Sequence, residues 1–371
     1  MHAAVVYLSG GGLSGGARNT LQALVTELRR DRRVEKLDLF VPPQAVSLPE
    51  VAPLCPNTWP TKDRLLGFPA LKRKIRLLRP DVVFIPTAAW FDAGNAPVVC
   101  MVRNMEALLS PFGENPWPVG VKNVLRAQIA RRACRKAGRV IAVSNFVRDF
   151  LVNRWRLTPE KIGVVYHGVA EAPAGEQVPR PEGLAQPDKP FWFSAGSFIP
   201  YRGYEDVLRA LALRVRAGRD ERLVLAGVPV YSDAYRNRVQ ALAEKLGLAS
   251  RVQSLGYIDA DRMAWCFRRA TGFIMSSRLE ACPNLVLEAL ANGAASISTT
   301  HPPMPELYGS TAVYYQAGET DSLVRAMEQI SAMTPPQRQA AAQAARNRAR
   351  EFSWPAAAER TIEQLLLAAG K

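Results

Sequence analysis

The sequence predicts an α/β protein built from two doubly wound, Rossmann-like domains. Short apolar, β-branched runs alternate with helical patterns over most of the 371 residues, and a proline-rich segment at 171–190 separates two series of this alternation. A chain of this length exceeds one ordinary core. Because apolar runs without a polar face are typical of parallel strands covered by helices, we expect a parallel sheet in each half.

The first half begins with a strand prediction. The apolar run at 3–9 ends in a glycine cluster, and apolar residues at helical spacing follow at 20–30. Further buried-strand candidates are the runs at 36–42, 81–86, 97–102 and 139–144.

The second half begins after a segment too rich in proline to form a regular helix or strand. Prolines 173, 179, 181, 187 and 190 predict a linker over 171–190. Strands are then predicted at 191–197, 222–228, 251–257, 272–277, 295–300 and 312–316, and helices at 204–217, 233–247, 260–270 and 285–293. The Ala- and Arg-rich stretch 335–369 is predicted to be helical, with an interruption at 353–355.

The charge balance indicates an anionic partner. Lys and Arg number 48 against 33 Asp and Glu, a net charge of +15. The segment 115–148 has no acid, and a second basic cluster lies at 72–79. Nucleic-acid modules usually interleave aromatic residues or show a recognised motif, and neither is evident. We therefore expect an anionic membrane surface or a phosphorylated substrate rather than nucleic acid, with solvated helix faces as the alternative.

Compartment and metal content are predicted from cysteines, histidines and apolar runs. Five scattered cysteines form no CxxC pair, which favours a reduced cytoplasmic setting, and three histidines argue against a histidine-rich metal site. No run approaches the roughly 18 apolar residues of a membrane span, and the N-terminus resembles a strand more than a signal peptide. We expect a cytoplasmic protein, with peripheral docking on the inner face of the cytoplasmic membrane as a second expectation.

The segment 276–298 is the most informative about chemistry. A buried strand ends there, a short loop carries Glu280, and a helix is predicted to begin near Leu285, with Glu288 in its first turn. Such a unit places free amides and the positive end of a helix dipole at the carboxyl edge of the sheet, where doubly wound folds bind ligands. The alternative is that Glu288 only favours the dipole and Glu280 is solvated.

These residues resemble a known family. Glu280 and Glu288 match the E-x7-E motif of retaining, family-4-type glycosyltransferases with the GT-B fold (glycosyl transferases group 1), and EALANGAASIS resembles the run that follows it. The resemblance covers most of the chain in the right order. It includes SAGSFIPYRG (194–203), RRACRKAGRVIAVSNFVRDFL (131–151), VVYHGV (164–169) and EFSWPAAAER (351–360).

The resemblance implies two domains that face a cleft. Residues 1–170 would form the acceptor side, with a helix at about 355–371 packing back on it, and 191–354 would bind the sugar nucleotide. Glu288 is then expected at the ribose and Glu280 at the hydroxyls of the donor sugar. The amides of Asn284 and Leu285 are expected at the diphosphate.

Further site residues follow from the same resemblance. Arg202 would grip the diphosphate, while Ser197 stands where the family often has a second cation. Arg103 occupies the place of the usual cleft histidine, so the candidate catalytic residues are Glu280, Arg202 and Arg103. Tyr257 and Ile258 are expected near the base, and Gly15 and Gly16 lie in a Gly-rich turn expected to face the donor.

Asp259-Ala260-Asp261 matches a D-x-D motif, which can bind a metal ion in other proteins. Because it precedes an amphipathic helix, Asp259 is predicted to be an N-cap, and we expect neither a metal nor another cofactor. Glu106 and Glu114 form no identifiable glycosidase pair.

The resemblance therefore implies a retaining transferase that moves a sugar from a UDP- or GDP-sugar to a hydroxyl of a glycan or lipid-linked glycan. The expected setting is lipopolysaccharide, O-antigen or exopolysaccharide assembly. The departures at Ser197 and Arg103 leave two alternatives, a GT-B sugar-nucleotide epimerase and a catalytically silent nucleotide-sugar-binding protein.

Overall fold

A computed structural model describes residues 1–8, 15–60, 67–110, 112, 117–172, 178–230 and 232–371. The chain forms two compact units, Met1–Gly168 with Phe352–Lys371, and Val169–Glu351. Each unit contains a six-stranded parallel sheet with helices around it, which confirms the predicted α/β class with two doubly wound domains.

The strands are β1 (His2–Val6), β2 (Lys36–Phe40), β3 (Val82–Ile85), β4 (Val98–Val102), β5 (Arg139–Ala142), β6 (Ile162–Val164), β7 (Trp192–Ala195), β8 (Leu223–Ala226), β9 (Val252–Ser254), β10 (Gly272–Met275), β11 (Ser296–Thr299) and β12 (Ala312–Tyr315). The helices are α1 (Gly15–Arg30), α2 (Pro69–Leu78), α3 (Glu106–Leu109), α4 (Trp117–Lys136), α5 (Asn145–Trp155), α6 (Tyr204–Arg216), α7 (Ala234–Lys245), α8 (Ala260–Arg269), α9 (Asn284–Ala291), α10 (Met304–Tyr308), α11 (Thr320–Ser331), α12 (Pro335–Ala349) and α13 (Trp354–Ala369).

The first unit has the strand order β2-β1-β3-β4-β5-β6. Every residue of β3 and β4 is buried, as the uninterrupted apolar runs predict for strands covered on both faces. The edge strand β6 has only three residues, and no strand was predicted at its position.

Helix α13, from the end of the chain, completes the first unit. Its residues Ile362 and Leu365 are fully buried, and Gln364 accepts a hydrogen bond of 2.8 Å from Arg139 Nε at the start of β5. The interruption at 353–355 is the start of this helix. The Ser353 hydroxyl caps it by accepting from the Ala356 amide.

The second unit has the order β12-β11-β10-β7-β8-β9. The chain runs outward from β7 to β9 on one side, then returns to lay β10, β11 and β12 on the other side. The order therefore reverses between β7 and β10. In a doubly wound sheet, the crevice at the carboxyl ends of the strands on either side of such a reversal is where ligands bind.

Candidate functional site

The candidate site is formed by the two loops that leave this reversal point. Residues 196–203 follow β7 and residues 276–283 follow β10, and these two strands are hydrogen-bonded neighbours. The Ser276 hydroxyl donates to the Arg202 carbonyl oxygen at 2.6 Å, and the Arg278 amide donates to the Tyr201 carbonyl at 2.8 Å. The loops are thus fixed to each other through the backbone before any side chain of the site is considered.

Gly203 permits this close approach. Its φ of +66° lies in the left-handed region, and a Cβ atom there would lie 2.6 Å from the Ser276 carbonyl oxygen. Only glycine satisfies both conditions without moving the backbone. The second glycine of the loop at 194–203 is therefore required by packing.

The two loops bring together Arg202 and Glu280, two of the three predicted catalytic residues. Arg202 ends a short 3₁₀ turn, Pro200–Arg202, and its Nη1 donates to the Glu280 carboxylate and, at 3.1 Å, to the Ser277 hydroxyl. The side chains of Arg202 and Glu280 are only 13% and 12% exposed. A charged pair with this little exposure is a candidate for binding or catalysis.

The charge state of Glu280 is set by opposing influences. Burial raises its pKa, and the Arg202 guanidinium and a hydrogen bond with Ser277 oppose that rise. The loop thus holds a nearly buried carboxylate whose ionised form depends on one arginine.

The N-terminus of α9 lies immediately after this loop. The helix begins at Asn284, and its N-cap residue, Pro283, makes no side-chain capping bond. Amides in the first turn of a helix have no partner within the helix, so an anion can bind there. The structure places Asn284 and Leu285 as the first two residues of that turn, which is the geometry expected of a diphosphate site.

Glu288 is the fifth residue of α9, so it lies one turn beyond the N-terminus and not in the first turn as the sequence suggested. The difference arises because the helix begins one residue earlier than predicted. Burial raises the pKa of Glu288 to about 7. Within 178–230 and 232–371 the carboxylate has no ion-pair partner that would offset this burial.

The remaining predicted donor residues of this unit follow β7 and β9. Ser197 is partly buried in the loop after β7. Tyr257 is 74% exposed and directly precedes the partly buried Ile258, both after β9. A hydrogen bond of 2.7 Å from the Gly227 amide to the Gly256 carbonyl joins the loops after β8 and β9. All these residues therefore lie at the carboxyl edge of one sheet.

Two family matches divide the chain at the same place as the sheets. Residues 14–172 match the family described as Glycosyltransferase Family 4, and residues 177–348 match the family described as Glycosyl transferases group 1. With two parallel sheets and the paired loops at the reversal point, these matches decide the family. The chain belongs to the GT-B glycosyltransferases of the family-4 type.

Curated relatives of the family match over part of their length. A protein of Rhizobium meliloti (strain 1021) named lipopolysaccharide core biosynthesis glycosyltransferase LpsE is 29% identical over 152 residues, which is 39% of this chain and 40% of that protein. A D-inositol 3-phosphate glycosyltransferase of Streptomyces scabiei (strain 87.22) is 29% identical over 246 residues, 62% of this chain and 54% of that protein. The matches thus span about half the length of these relatives or less.

Solved GT-B structures share the fold over the whole chain. A sucrose-phosphate synthase from Thermosynechococcus elongatus has a TM-score of 0.74 and 18% identity, with 99% of each chain covered. HepE from Anabaena in complex with UDP-glucose also has a TM-score of 0.74, with 17% identity over 98% of this chain and 99% of that one. At these identities the likeness concerns the fold.

The structure adds an ion pair with a buried carboxylate that the sequence analysis did not identify. Asp206, in the first turn of α6, is 2% exposed and accepts from Arg278 Nη2 through both oxygens at 2.9 Å. It also accepts from the Gly318 amide at 3.0 Å, so it ties the loop after β10 to the loop after β12. A survey of every charge in the strand-end loops would have found Arg278, two residues before Glu280.

The site residues predicted in the first unit lie on different elements. Gly15 and Gly16 begin α1, while residues 9–14 of their Gly-rich turn and Glu114 lie outside the described residues. Arg103 follows β4 and is partly buried, and its Nη1 has no hydrogen-bond partner among the described residues. Glu106 is buried at the start of α3.

The D-x-D segment has a structural role. Asp259 caps α8 by accepting from the Arg262 amide at 2.9 Å, and its carboxylate also pairs with the Arg262 side chain, which confirms the predicted N-cap. His167 is buried, with its ring stacked 6.5 Å from that of Trp354. Within the described part of the chain, no helix combines the length and apolar character needed to cross a bilayer.

Proposed function

We propose that this chain is a retaining glycosyltransferase that moves a sugar from a UDP- or GDP-sugar to a hydroxyl of a glycan acceptor. The observation that carries the proposal is the buried Arg202–Glu280 pair at the reversal point of the second sheet, directly before the N-terminus of α9. A crevice with one fixed cation and a helix N-terminus is suited to a diphosphate, because both stabilise negative charge.

The donor-side roles follow from this arrangement. Arg202 and the amides at Asn284 and Leu285 would stabilise the charge that develops on the departing diphosphate, with no metal ion required. Glu288 would accept hydrogen bonds from the two ribose hydroxyls, and Tyr257 and Ile258 would border the base. Glu280 would hold the hydroxyls of the donor sugar.

A retaining course is proposed through a front-face reaction. The bond between the anomeric carbon and the phosphate oxygen breaks, and its electron pair stays on the phosphate. The acceptor oxygen bonds to the same face of that carbon, and its proton passes to the departing phosphate. Glu280 would contact the sugar hydroxyls, and its ion pair with Arg202 would make it poorly suited to act as a nucleophile. HepE, described in complex with UDP-glucose, supports a donor of this class.

The proposed acceptor is a glycan or lipid-linked glycan bound on the first unit, where Arg103 follows β4 and Gly15 and Gly16 begin α1. The names of LpsE and of the lipopolysaccharide outer core galactosyltransferase WaaB, which shares the fold with a TM-score of 0.69, support lipopolysaccharide or related polysaccharide assembly. The net charge of +15 supports a cytoplasmic protein that docks peripherally on anionic membrane.

The test is a thermal-shift panel of UDP- and GDP-sugars, followed by mass spectrometry and NMR of the products on candidate acceptors. We expect one donor to raise the Tm, and the anomeric configuration of that donor to persist in the glycoside. An inverted linkage would refute the retaining course. Conversion of the sugar nucleotide without an acceptor would identify an epimerase, and donor binding without transfer or hydrolysis would identify a silent binder.

A further inference from the structure

The outward face of α4, in the first unit, carries a row of apolar side chains. Trp117, Leu125 and Ile129 are 75%, 59% and 59% exposed, and the partly buried Val121 fills the remaining place in the four-residue spacing. Residues four apart lie on the same face of a helix. Single exposed apolar residues are ordinary on protein surfaces, but a contiguous row marks a surface that meets a partner or a membrane.

The opposite face of the same helix accounts for its attachment to the unit. Gly120, Asn123, Ala130, Ala133 and Cys134 are the buried residues of α4. These small side chains pack into the unit, where the Cys134 thiol lies 3.8 Å from the Cys100 thiol of β4, and they leave the larger apolar residues on the outside. The exposed row is therefore not needed to hold α4 in the fold.

Basic residues flank the apolar row. Lys122, Arg126, Arg132 and Arg135 are exposed, and none of them pairs with a carboxylate among the described residues. The sequence from 115 to 148 contains no acid that could neutralise them. The outward face of α4 thus combines an apolar stripe with uncompensated positive charge.

We propose that α4 lies in the headgroup layer of an anionic lipid bilayer. Trp117, Leu125 and Ile129 would insert below the phosphates, and the flanking Lys and Arg side chains would bind those phosphates. A helix with this pattern lies in the plane of the interface, and its affinity combines buried apolar area with attraction to anionic lipid. The inference specifies the membrane partner of the proposed function. It rests on that function for the reason why the protein would dock on a membrane, whereas the binding itself is argued from α4 alone.

The chemistry favours lipid over a macromolecule. A nucleic acid would use the positive charge but leave the Leu125–Ile129 row unburied, because backbone recognition is carried by phosphate contacts. Four exposed basic side chains beside the row, none paired with a carboxylate among the described residues, favour an anionic surface as its partner. Anionic lipid satisfies the charges and the apolar side chains together.

Vesicle sedimentation tests the inference with full-length protein. The probes are vesicles of phosphatidylcholine alone or with phosphatidylglycerol. The variants are Leu125→Gln with Ile129→Gln, and Lys122→Gln with Arg126→Gln. The control is Leu367→Gln, which removes a 56% exposed leucine of α13. We expect wild type and control to bind anionic vesicles, the apolar variant to lose about tenfold or more in partitioning, and the basic variant to depend more weakly on phosphatidylglycerol.

Two outcomes would overturn the inference. One is equal vesicle binding by wild type and the apolar variant. The other is a change from dimer to monomer in the apolar variant by light scattering, which would identify a second copy of the chain as the occupant. Donor-induced thermal shifts are measured in parallel on the same variants. A variant that loses vesicle binding but keeps the donor-induced thermal shift has an intact donor site. If the wild-type protein shows no donor-induced shift, the proposed function is refuted but the membrane inference is not.

Discussion

The loop after β10 and helix α9 each hold one partly buried glutamate whose pKa is raised by burial, but they surround it differently. Glu280, in the loop, pairs with Arg202 and is near Ser277. Glu288, one turn into the helix, has burial as the sole cause of its raised pKa, and no cation compensates it within 178–230 and 232–371. Two carboxylates eight positions apart thus occupy opposite electrostatic environments.

Glu280 is a carboxylate that the protein itself already binds, whereas Glu288 is available to a ligand. The Glu280 carboxylate is already engaged by Arg202 within the protein, so binding or catalysis there must work by exchanging partners. Glu288 is costly to ionise until hydroxyl groups donate to it, and a vicinal diol would do so. The comparison therefore predicts a turnover defect from changes in the loop and a binding defect from changes in the helix.

The largest expected effect comes from Arg202→Ala. Removing the cation that stabilises the departing phosphate should lower kcat by about 10²–10³-fold. Steady-state kinetics with the donor identified by the thermal-shift panel measures this. Arg202→Lys should recover part of the loss, and the exposed Arg216→Ala on α6 is the matched control. An unchanged kcat in Arg202→Ala would contradict the assigned role.

The next effect separates the two glutamates. Glu288→Ala should raise the donor KM at least about tenfold with little change in kcat, because a ribose contact is made equally in the ground and transition states. Glu280→Ala should mainly reduce turnover. Initial rates over a range of donor concentrations distinguish the two results. Near-normal activity in both variants would refute the assignment of the segment as the donor site.

A smaller effect concerns stability. The pKa of Glu288 is raised from an ordinary 4.5 to about 7, so the folded state binds an extra proton between these values and stability falls as pH rises through that window. Glu288→Gln should therefore stabilise the protein by about 2–3 kcal/mol at pH 8 and by little at pH 4.5. Urea unfolding at both pH values checks this. Equal effects at the two values would show that burial does not govern this carboxylate.

The smallest expected effect is at Gly203. Gly203→Ala places a methyl group against the Ser276 carbonyl in a left-handed backbone, and should cost about 1–2 kcal/mol. Gly247→Ala, also at positive φ but with nothing within 4 Å of its Cβ, serves as a control for the backbone term alone. The comparison would fail if both variants lost the same stability.

The sequence predicted what depends on local pattern. The prediction for β10, the following loop and the start of α9 agrees with the structure within about two residues. These elements are recognisable because an apolar run, a loop and helical spacing are local patterns in the sequence. The second unit as a doubly wound sheet followed from repeating that pattern. Only the short edge strand β6 had no strand predicted at its position.

Contacts between side chains that are far apart in sequence could not be predicted from local pattern. Arg202 and Glu280 are 78 positions apart, and Asp206 and Arg278 are 72 apart, so no spacing rule joins them. On α4 the sequence showed the basic run but not the outward apolar row, because the helix has apolar residues on more than one side. Which side is buried depends on small residues such as Gly120, Ala130 and Ala133, which pack into the unit.

The most direct test of the account is the pH dependence of donor binding, measured by titration calorimetry with a sugar nucleotide, whose phosphates do not titrate between pH 6 and 8. If Glu288 must be ionised to accept the ribose hydroxyls, its pKa of about 7 predicts about tenfold weaker binding at pH 6 than at pH 8. Glu288→Gln should bind weakly at both values, with no such dependence. An equal Kd at pH 6 and pH 8 for the wild-type protein, or the same dependence in Glu288→Gln, would contradict the central claim that the donor ribose binds at Glu288.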